Sequence, residues 1–214
     1  MIIAGVDEAG RGAVIGPLVV AGVSVGEESL SRLRELGVRD SKKLTPTRRE
    51  ELYDLILQVA EGVVILKSWP EEIDRAVRHG GLNELELRLM ALALRSLSPD
   101  LAFVDAPQAR PHSFTLMLSS LVPGVKLVAE PMADAKYPVV SAASIVAKVE
   151  RDLEISRISA EYGDVGSGYP SDPRTREFLR RSIKGEIPPI VRRSWLTIIR
   201  MEEEERSGSL EGYL

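Results

Sequence analysis

Four acidic residues stand where chemistry could be done. Asp7 and Glu8 follow the apolar run "IIAGV", Asp105 closes "LAFVD", and Asp134 lies in "EPMADAKYP", a few residues beyond "VKLVAE". Each apolar run reads as a short buried strand, and in an open α/β sheet parallel neighbours bring their carboxyl ends to one edge. Carboxylates gathered there repel one another and become partly protonated unless a cation neutralises them. Divalent ions do this, and two of them about 3.5–4 Å apart, clamped by carboxylates, suit in-line displacement at phosphorus. A lone Asp at a strand end is ordinarily a turn former or a helix cap. Asp105 or Asp134, taken singly, reads that way. The adjacent pair resists that reading, because consecutive strand residues point to opposite faces. Either one of Asp7 and Glu8 faces buried surroundings, or the strand bends there.

Composition narrows the donor set. The 214 residues contain no cysteine and only two histidines, His79 and His112, neither of which is assigned to catalysis. Thiolate sites, disulfides, histidine-rich zinc sites and histidine-based triads are thereby disfavoured, and carboxylate chemistry with magnesium or manganese remains. The formal charge of −4 looks wrong for a nucleic-acid partner, but its distribution matters more. Residues 141–200 carry eleven Lys or Arg against eight acids, while residues 201–214 carry one Arg against five. A basic face therefore coexists with an acidic terminal run, "MEEEER", which reads as a solvated helix end. No apolar run approaches the roughly 20 residues of a membrane span, and no secretory pattern opens the chain, so a cytoplasmic protein without a membrane partner is expected.

The elements that must position the acids can be read from periodicity. Ile2–Asp7, Leu18–Val25, Val63–Lys67, Leu101–Val104 and Val125–Ala129 are rich in β-branched residues and predict five strands, the first two a possible hairpin. Helical patterns lie between the later strands: residues 45–62 with a Thr cap and Pro46, residues 82–97, and the long stretch 141–163. A Gly/Ser/Pro loop, "DVGSGYPSDPRT", then precedes two further helical patterns, over 172–185 and 188–206. "GRGAVIG" superficially suggests a dinucleotide loop. That fingerprint needs its glycines to open a helix, whereas here β-branched residues and Pro17 follow and two acids precede.

With these motifs in order, the chain resembles the type 2 ribonucleases H (ribonuclease HII). "DEAGRG" resembles the family's opening motif and "DSKKLT" at 40–45 its DSK-x-L element. "VD" at 104–105 and "ADAKYPVVSAASIVAKVERD" are similar to its later acidic and helical motifs, and "GSGYPSDPRT" to its tyrosine loop. "VRRSWLT" is similar to the archaeal and eukaryotic branch. The resemblance implies an α/β, RNase H-like fold: a mixed five-stranded sheet flanked by helices, with a helical C-terminal extension. It implies a catalytic core over 1–162, a helical substrate-binding subdomain over 163–206 and a tail over 207–214. It further implies divalent-metal-dependent hydrolysis of RNA in RNA–DNA hybrids, and incision 5′ of ribonucleotides embedded in duplex DNA to leave 3′-hydroxyl and 5′-phosphate ends.

Carried over by residue, Asp7, Glu8, Asp105 and Asp134 become the catalytic, metal-binding acids. Gly10, Arg11 and Gly12 become the loop that reads the ribose 2′-hydroxyl, and Tyr169 the residue at the RNA–DNA junction. Lys42, Asn83 and Lys148 become phosphate contacts. Ser144 lies one helical turn from Lys148, so both can face one phosphate track. These roles suit the residue types. Glycines allow close backbone approach, the 2′-hydroxyl both donates and accepts, and a tyrosine offers a flat ring and a hydroxyl. Trp69 and Trp195 read as packing residues. Two other classes are set beside this reading: a small-molecule phosphohydrolase with the same carboxylate chemistry, and a non-catalytic hybrid-binding protein. The first has no use for the tyrosine loop or the basic extension, and the four intact acids oppose the second. A monomer is expected.

Overall fold

A computed structural model describes residues 1–38, 44–79, 81–107 and 111–211, with side chains to residue 207. The expected phosphate contact Lys42, and most of "DSKKLT", fall outside the described residues. The described chain forms two compact units. One comprises Met1–Ala9, Val19–Lys67 and Asn83–Glu150; the other Gly10–Leu18, Ser68–Leu82 and Arg151–Leu214.

The first unit is built on a five-stranded sheet. Its strands are β1 (Ile2–Ala9), β2 (Leu18–Gly26), β3 (Gly62–Ser68), β4 (Leu101–Asp105) and β5 (Lys126–Glu130), in the order β3-β2-β1-β4-β5. β1 pairs antiparallel with β2 and parallel with β4, and β4 pairs parallel with β5, so the sheet is mixed. Every residue of β2 is buried, as a central strand covered on both faces requires. The alternation of side chains decides which cover each meets. Val19, Ala21, Val23 and Val25 join one cluster with Leu52 and Ile56 of α2 (Pro46–Val59) and Val139, Ala142, Ile145, Val146 and Val149 of α7 (Pro138–Tyr162). Val20, with Ala4 and Val6 of β1, joins the other, against Met90 and Leu94 of α4 (Leu82–Leu97) and Phe114 and Leu118 of α5 (Pro111–Leu121).

The helix boundaries mostly follow local chemistry. The Thr45 side chain accepts from the Arg48 amide and Pro46 opens α2, as the cap and first-turn proline predict. α4 spans the residues its periodicity marks out. Short helices α1 (Leu30–Glu35) and α3 (Pro70–His79) have no counterpart among the sequence-based elements, and Asp134 lies within a four-residue turn of helix, α6 (Ala133–Lys136).

The second unit has its own core, in which Val14 and Ile15 pack with Ile155, Ile158, Val165, Phe178, Leu179, Ile190, Val191 and Ile198. Its helices include α8 (Pro173–Ile183), capped by Asp172, and α9 (Leu196–Glu211). The helix expected from residue 188 begins only at Leu196. Val191 instead bridges Ile15 in an extended arrangement and the Arg192 amide donates to the Val14 carbonyl, so the main-chain groups here are used outside a helix. Asp74 of α3 fastens this stretch by accepting from the Arg193 and Ser194 amides at 2.9 and 3.0 Å. Trp195 packs against the unit's core, as read from the sequence, whereas Trp69 is 41% exposed.

The close approach of β1 to α7 depends on Gly5. A Cβ there would lie 2.3 Å from the main-chain carbonyl of Val139. Gly5→Ala is therefore expected to force the helix away and cost about 1–3 kcal/mol, measurable as a lowered midpoint of thermal or denaturant unfolding. A midpoint equal to the parent's would contradict this packing.

Candidate active site

The register of β1 with β4 brings the first acids together. Val6 lies opposite Val104 in the parallel pair, so Asp7 and Asp105 are the next residues along two neighbouring strands running the same way. Asp7 is only 4% exposed. Burial pushes its carboxyl well above the ordinary aspartate range, and the charges of Glu8 and Asp105 push it further. Two donors oppose them: the Ser144 hydroxyl, and the Glu8 amide at 2.7 Å. Glu8, on the next position of the strand, is partly exposed. The adjacent pair thus divides between a buried and a half-open environment.

Asp134 is brought to the same edge by contacts with the end of β4. The Asp105 carboxylate accepts from the Ala133 amide at 2.8 Å, which places Asp134 one residue from that contact. The Tyr137 ring stacks on Phe103 of β4 with centroids 4.0 Å apart, and Lys136 pairs with Glu130 of β5 at 3.0 Å. Before α6 the chain turns through Met132, which adopts a left-handed conformation (φ 57°), uncommon for a residue with a side chain. Asp134 itself is buried.

α7 supplies the neighbours of Asp7. Ser144 is buried, and its hydroxyl donates to Asp7 while accepting from Lys148 Nζ at 2.9 Å. Ser144 is therefore a link between Lys148 and Asp7, and Lys148 retains partial exposure. Asn83 is exposed in the first turn of α4. All four acids are carboxylates, hard oxygen donors of the kind magnesium and manganese take. Among the described residues, no three His, Cys, Asp or Glu side chains form a ready-made metal cage. The donor chemistry, and the charge crowding at Asp7, nonetheless fit divalent ions.

The glycine and tyrosine loops belong to the second unit and are joined to each other. The Gly168 carbonyl accepts from the amides of Val14 and Ile15 at 2.8 and 3.2 Å. Gly10 has φ +87°, and a Cβ there would lie 2.5 Å from Arg151 Nε, so conformation and space both demand glycine. Arg151, itself buried, donates to the Ser167 carbonyl at 3.0 Å and lies 4.5 Å from the centroid of the Tyr169 ring. Asp172 accepts from the Ser167 and Arg174 amides, which hold its carboxyl well below the usual range. Thr175 accepts from the Gly168 amide and donates to the Val165 carbonyl. Arg151, Asp172, Thr175 and Arg192 are absent from the residues singled out in the sequence. Only their polarity inside otherwise apolar or capping positions marked them.

A carboxylate-edged mixed sheet of this order is the architecture of the ribonucleases H, and solved structures agree. The ribonuclease H2 of Pyrococcus horikoshii is 45% identical, with a TM-score of 0.90 over 96% of this chain and 99% of that one. A ribonuclease HII from Archaeoglobus fulgidus, solved in complex with PCNA, is 47% identical, with a TM-score of 0.86 over 91% and 95% of the two chains. A ribonuclease HII from Thermococcus onnurineus is 50% identical over 95% of this chain and 91% of that protein. The profile of the ribonuclease HII family matches residues 4–198, and the chain belongs to that family. It is a ribonuclease H, an endonucleolytic hydrolase acting on RNA–DNA hybrids.

The crowding at Asp7 has a measurable sign. A carboxyl whose folded pKa lies above its unfolded value holds its proton more tightly in the folded chain. Stability therefore falls as pH rises from the unfolded value, near 3.8, through the folded one, and stays reduced above it. Asp7→Asn is expected to raise the unfolding midpoint of the metal-free protein at neutral pH, with the gain vanishing below the unfolded pKa. Midpoints of both proteins in chelator at about pH 3 and about pH 7 check this. An Asn variant less stable than the parent at neutral pH would contradict it.

Proposed function

We propose that this ribonuclease H incises duplexes on the 5′ side of a ribonucleotide, including a single one embedded in DNA, leaving 3′-hydroxyl and 5′-phosphate ends. Asp7, Glu8, Asp105 and Asp134 would hold two divalent ions, magnesium or manganese. The carrying observation is the buried Asp7 carboxyl, crowded at one strand edge by Glu8 and Asp105, an arrangement that suits a cation. The family's divalent-metal dependence supports the same reading. Bound there, the ions supply activation of the attacking water and stabilisation of the leaving 3′-oxygen.

The chain's own residues place the substrate. The Asp105 carboxylate holds the turn that carries Asp134, and Ser144 holds Asp7 in orientation. Lys148, steadied on Ser144, offers its charge to a backbone phosphate, with Asn83 and Lys42 as further phosphate contacts. Gly10, Arg11 and Gly12 read the 2′-hydroxyl, so the choice of cut depends on the sugar rather than the base. Tyr169, its ring backed by the Arg151 guanidinium, packs on the deoxyribose beyond the ribonucleotide. On the likeness to the Archaeoglobus protein solved with PCNA, this chain also associates with PCNA.

The test is cleavage of labelled DNA duplex containing one ribonucleotide, with the cut site mapped. Asp7→Asn should fold and lose most metal-dependent turnover; full activity at ordinary magnesium concentration would overturn the assignment. Tyr169 separates the two substrates. A long hybrid offers many registers and phosphate contacts, whereas a lone ribonucleotide offers one register, so Tyr169→Ala should reduce single-ribonucleotide incision more. Tyr169→Phe isolates the hydroxyl, whose net hydrogen bond corresponds to about a 2- to 12-fold change in kcat/KM. Equal slowing of both substrates by the alanine variant would remove Tyr169 from the junction.

A further inference from the structure

We infer that Arg192 is a positioning residue for ribose recognition: by holding the carbonyl of Arg11 it turns the Gly12 N–H outward as the donor to the ribose 2′-hydroxyl. The inference rests on the reading of Gly10–Arg11–Gly12 as the sugar-reading loop, and adds what sets that loop's direction.

Arg192 is fully buried. Its Nη1 donates to the Arg11 carbonyl at 3.1 Å and its Nε to the Gly16 carbonyl at 3.0 Å. Its own amide donates to the Val14 carbonyl at 2.9 Å, and its guanidinium carbon lies 5.0 Å from the centroid of the Trp195 ring. The Gly16 amide donates to the Ile190 carbonyl, and the Val14 and Ile15 amides to Gly168. Three carbonyls of one loop, from Arg11, Val14 and Gly16, therefore converge on a single residue.

The consequence follows from peptide geometry. The unit joining Arg11 to Gly12 is planar and trans, so its C=O and N–H point in opposite directions. With the carbonyl drawn inward to a buried guanidinium, the Gly12 N–H is aimed away from it. Gly12 is exposed, a Cβ built on it meets nothing within 4 Å, and among the described residues Gly12 makes no hydrogen bond. A donor held in one direction at an open surface suits the 2′-hydroxyl, which can accept and which DNA lacks. The planar fork of arginine makes two directed bonds to two carbonyls at once. Lysine, with one flexible ammonium, cannot reproduce that geometry.

The experiment uses the full chain. Arg192→Lys and Gly12→Pro, the latter removing the N–H itself, are compared for incision at a single ribonucleotide. Each is also placed in the Asp7→Asn background, and its affinity for the ribonucleotide-containing duplex is compared with that for the all-DNA duplex. Both changes should lower kcat/KM by about 2- to 12-fold, the span of one net hydrogen bond, and lower the ribo-to-deoxy affinity ratio. Loss of the ratio in Gly12→Pro but not in a folded Arg192→Lys overturns the role of Arg192 and leaves the loop reading standing. A ratio unchanged in both overturns the loop reading and this inference with it. A lowered unfolding midpoint with an unchanged ratio shows Arg192 to be structural only. Should the lysine variant fail to fold, Arg192→Gln, which keeps one side-chain donor in place of two, takes its place in the same comparison. A lowered ribo-to-deoxy ratio in the folded glutamine variant supports the inference, and an unchanged ratio overturns it.

Discussion

A carboxylate buried on a central strand, beside two others, is the constraint around which the first unit is arranged. Asp7 lies on a strand covered on both faces, where charge is poorly solvated, and its neighbours carry the same sign. Each pKa unit of such a displacement represents about 1.4 kcal/mol of preference for the neutral form. The surrounding structure reads as a set of partial answers. Ser144 donates to Asp7, Asp105 is occupied by the Ala133 amide, and Lys148 leans on Ser144. None of these offsets the burial and like charge that hold the Asp7 carboxyl above the ordinary aspartate range.

The second unit follows a different logic, in which main-chain groups are directed by buried side chains. Gly168 offers one carbonyl to two amides of the glycine loop, and Arg192 gathers the loop's carbonyls from the other side. Asp172 and Thr175 organise the tyrosine loop by capping and bridging rather than by packing. Glycine is obligatory at position 10 because the Arg151 side chain occupies the space a Cβ would need, whereas Gly12 faces open surroundings. Two glycines in one tripeptide thus meet opposite surroundings, the first a filled interior and the second open space.

Much of this was legible in the sequence because the determinants are local. The strands were visible as β-branched runs, α2 through its Thr cap and Pro46, and α4 through its apolar stripe, and the resemblance ordered the acids. The parts that were not legible depend on distant partners. α3 is amphipathic in place but too short to stand out, and the break before α9 depends on Val191 finding Ile15. Ser144 looks like a surface residue by helical spacing, yet it is buried against Asp7 of β1. Arg192 sits in a run of two arginines, and only the fold distinguishes the fully buried member from the exposed Arg193.

The span between Arg11 and Arg192 also has a bearing on biosynthesis. The guanidinium that holds the Arg11 carbonyl lies 181 residues further along the chain. At elongation rates of about 5–20 residues per second, it emerges roughly 10–40 seconds after the loop it secures. The acids at positions 7, 105 and 134 are all made before it. A nascent chain thus possesses its carboxylates well before its glycine loop can be locked, and closing that long-range contact belongs among the late steps of folding.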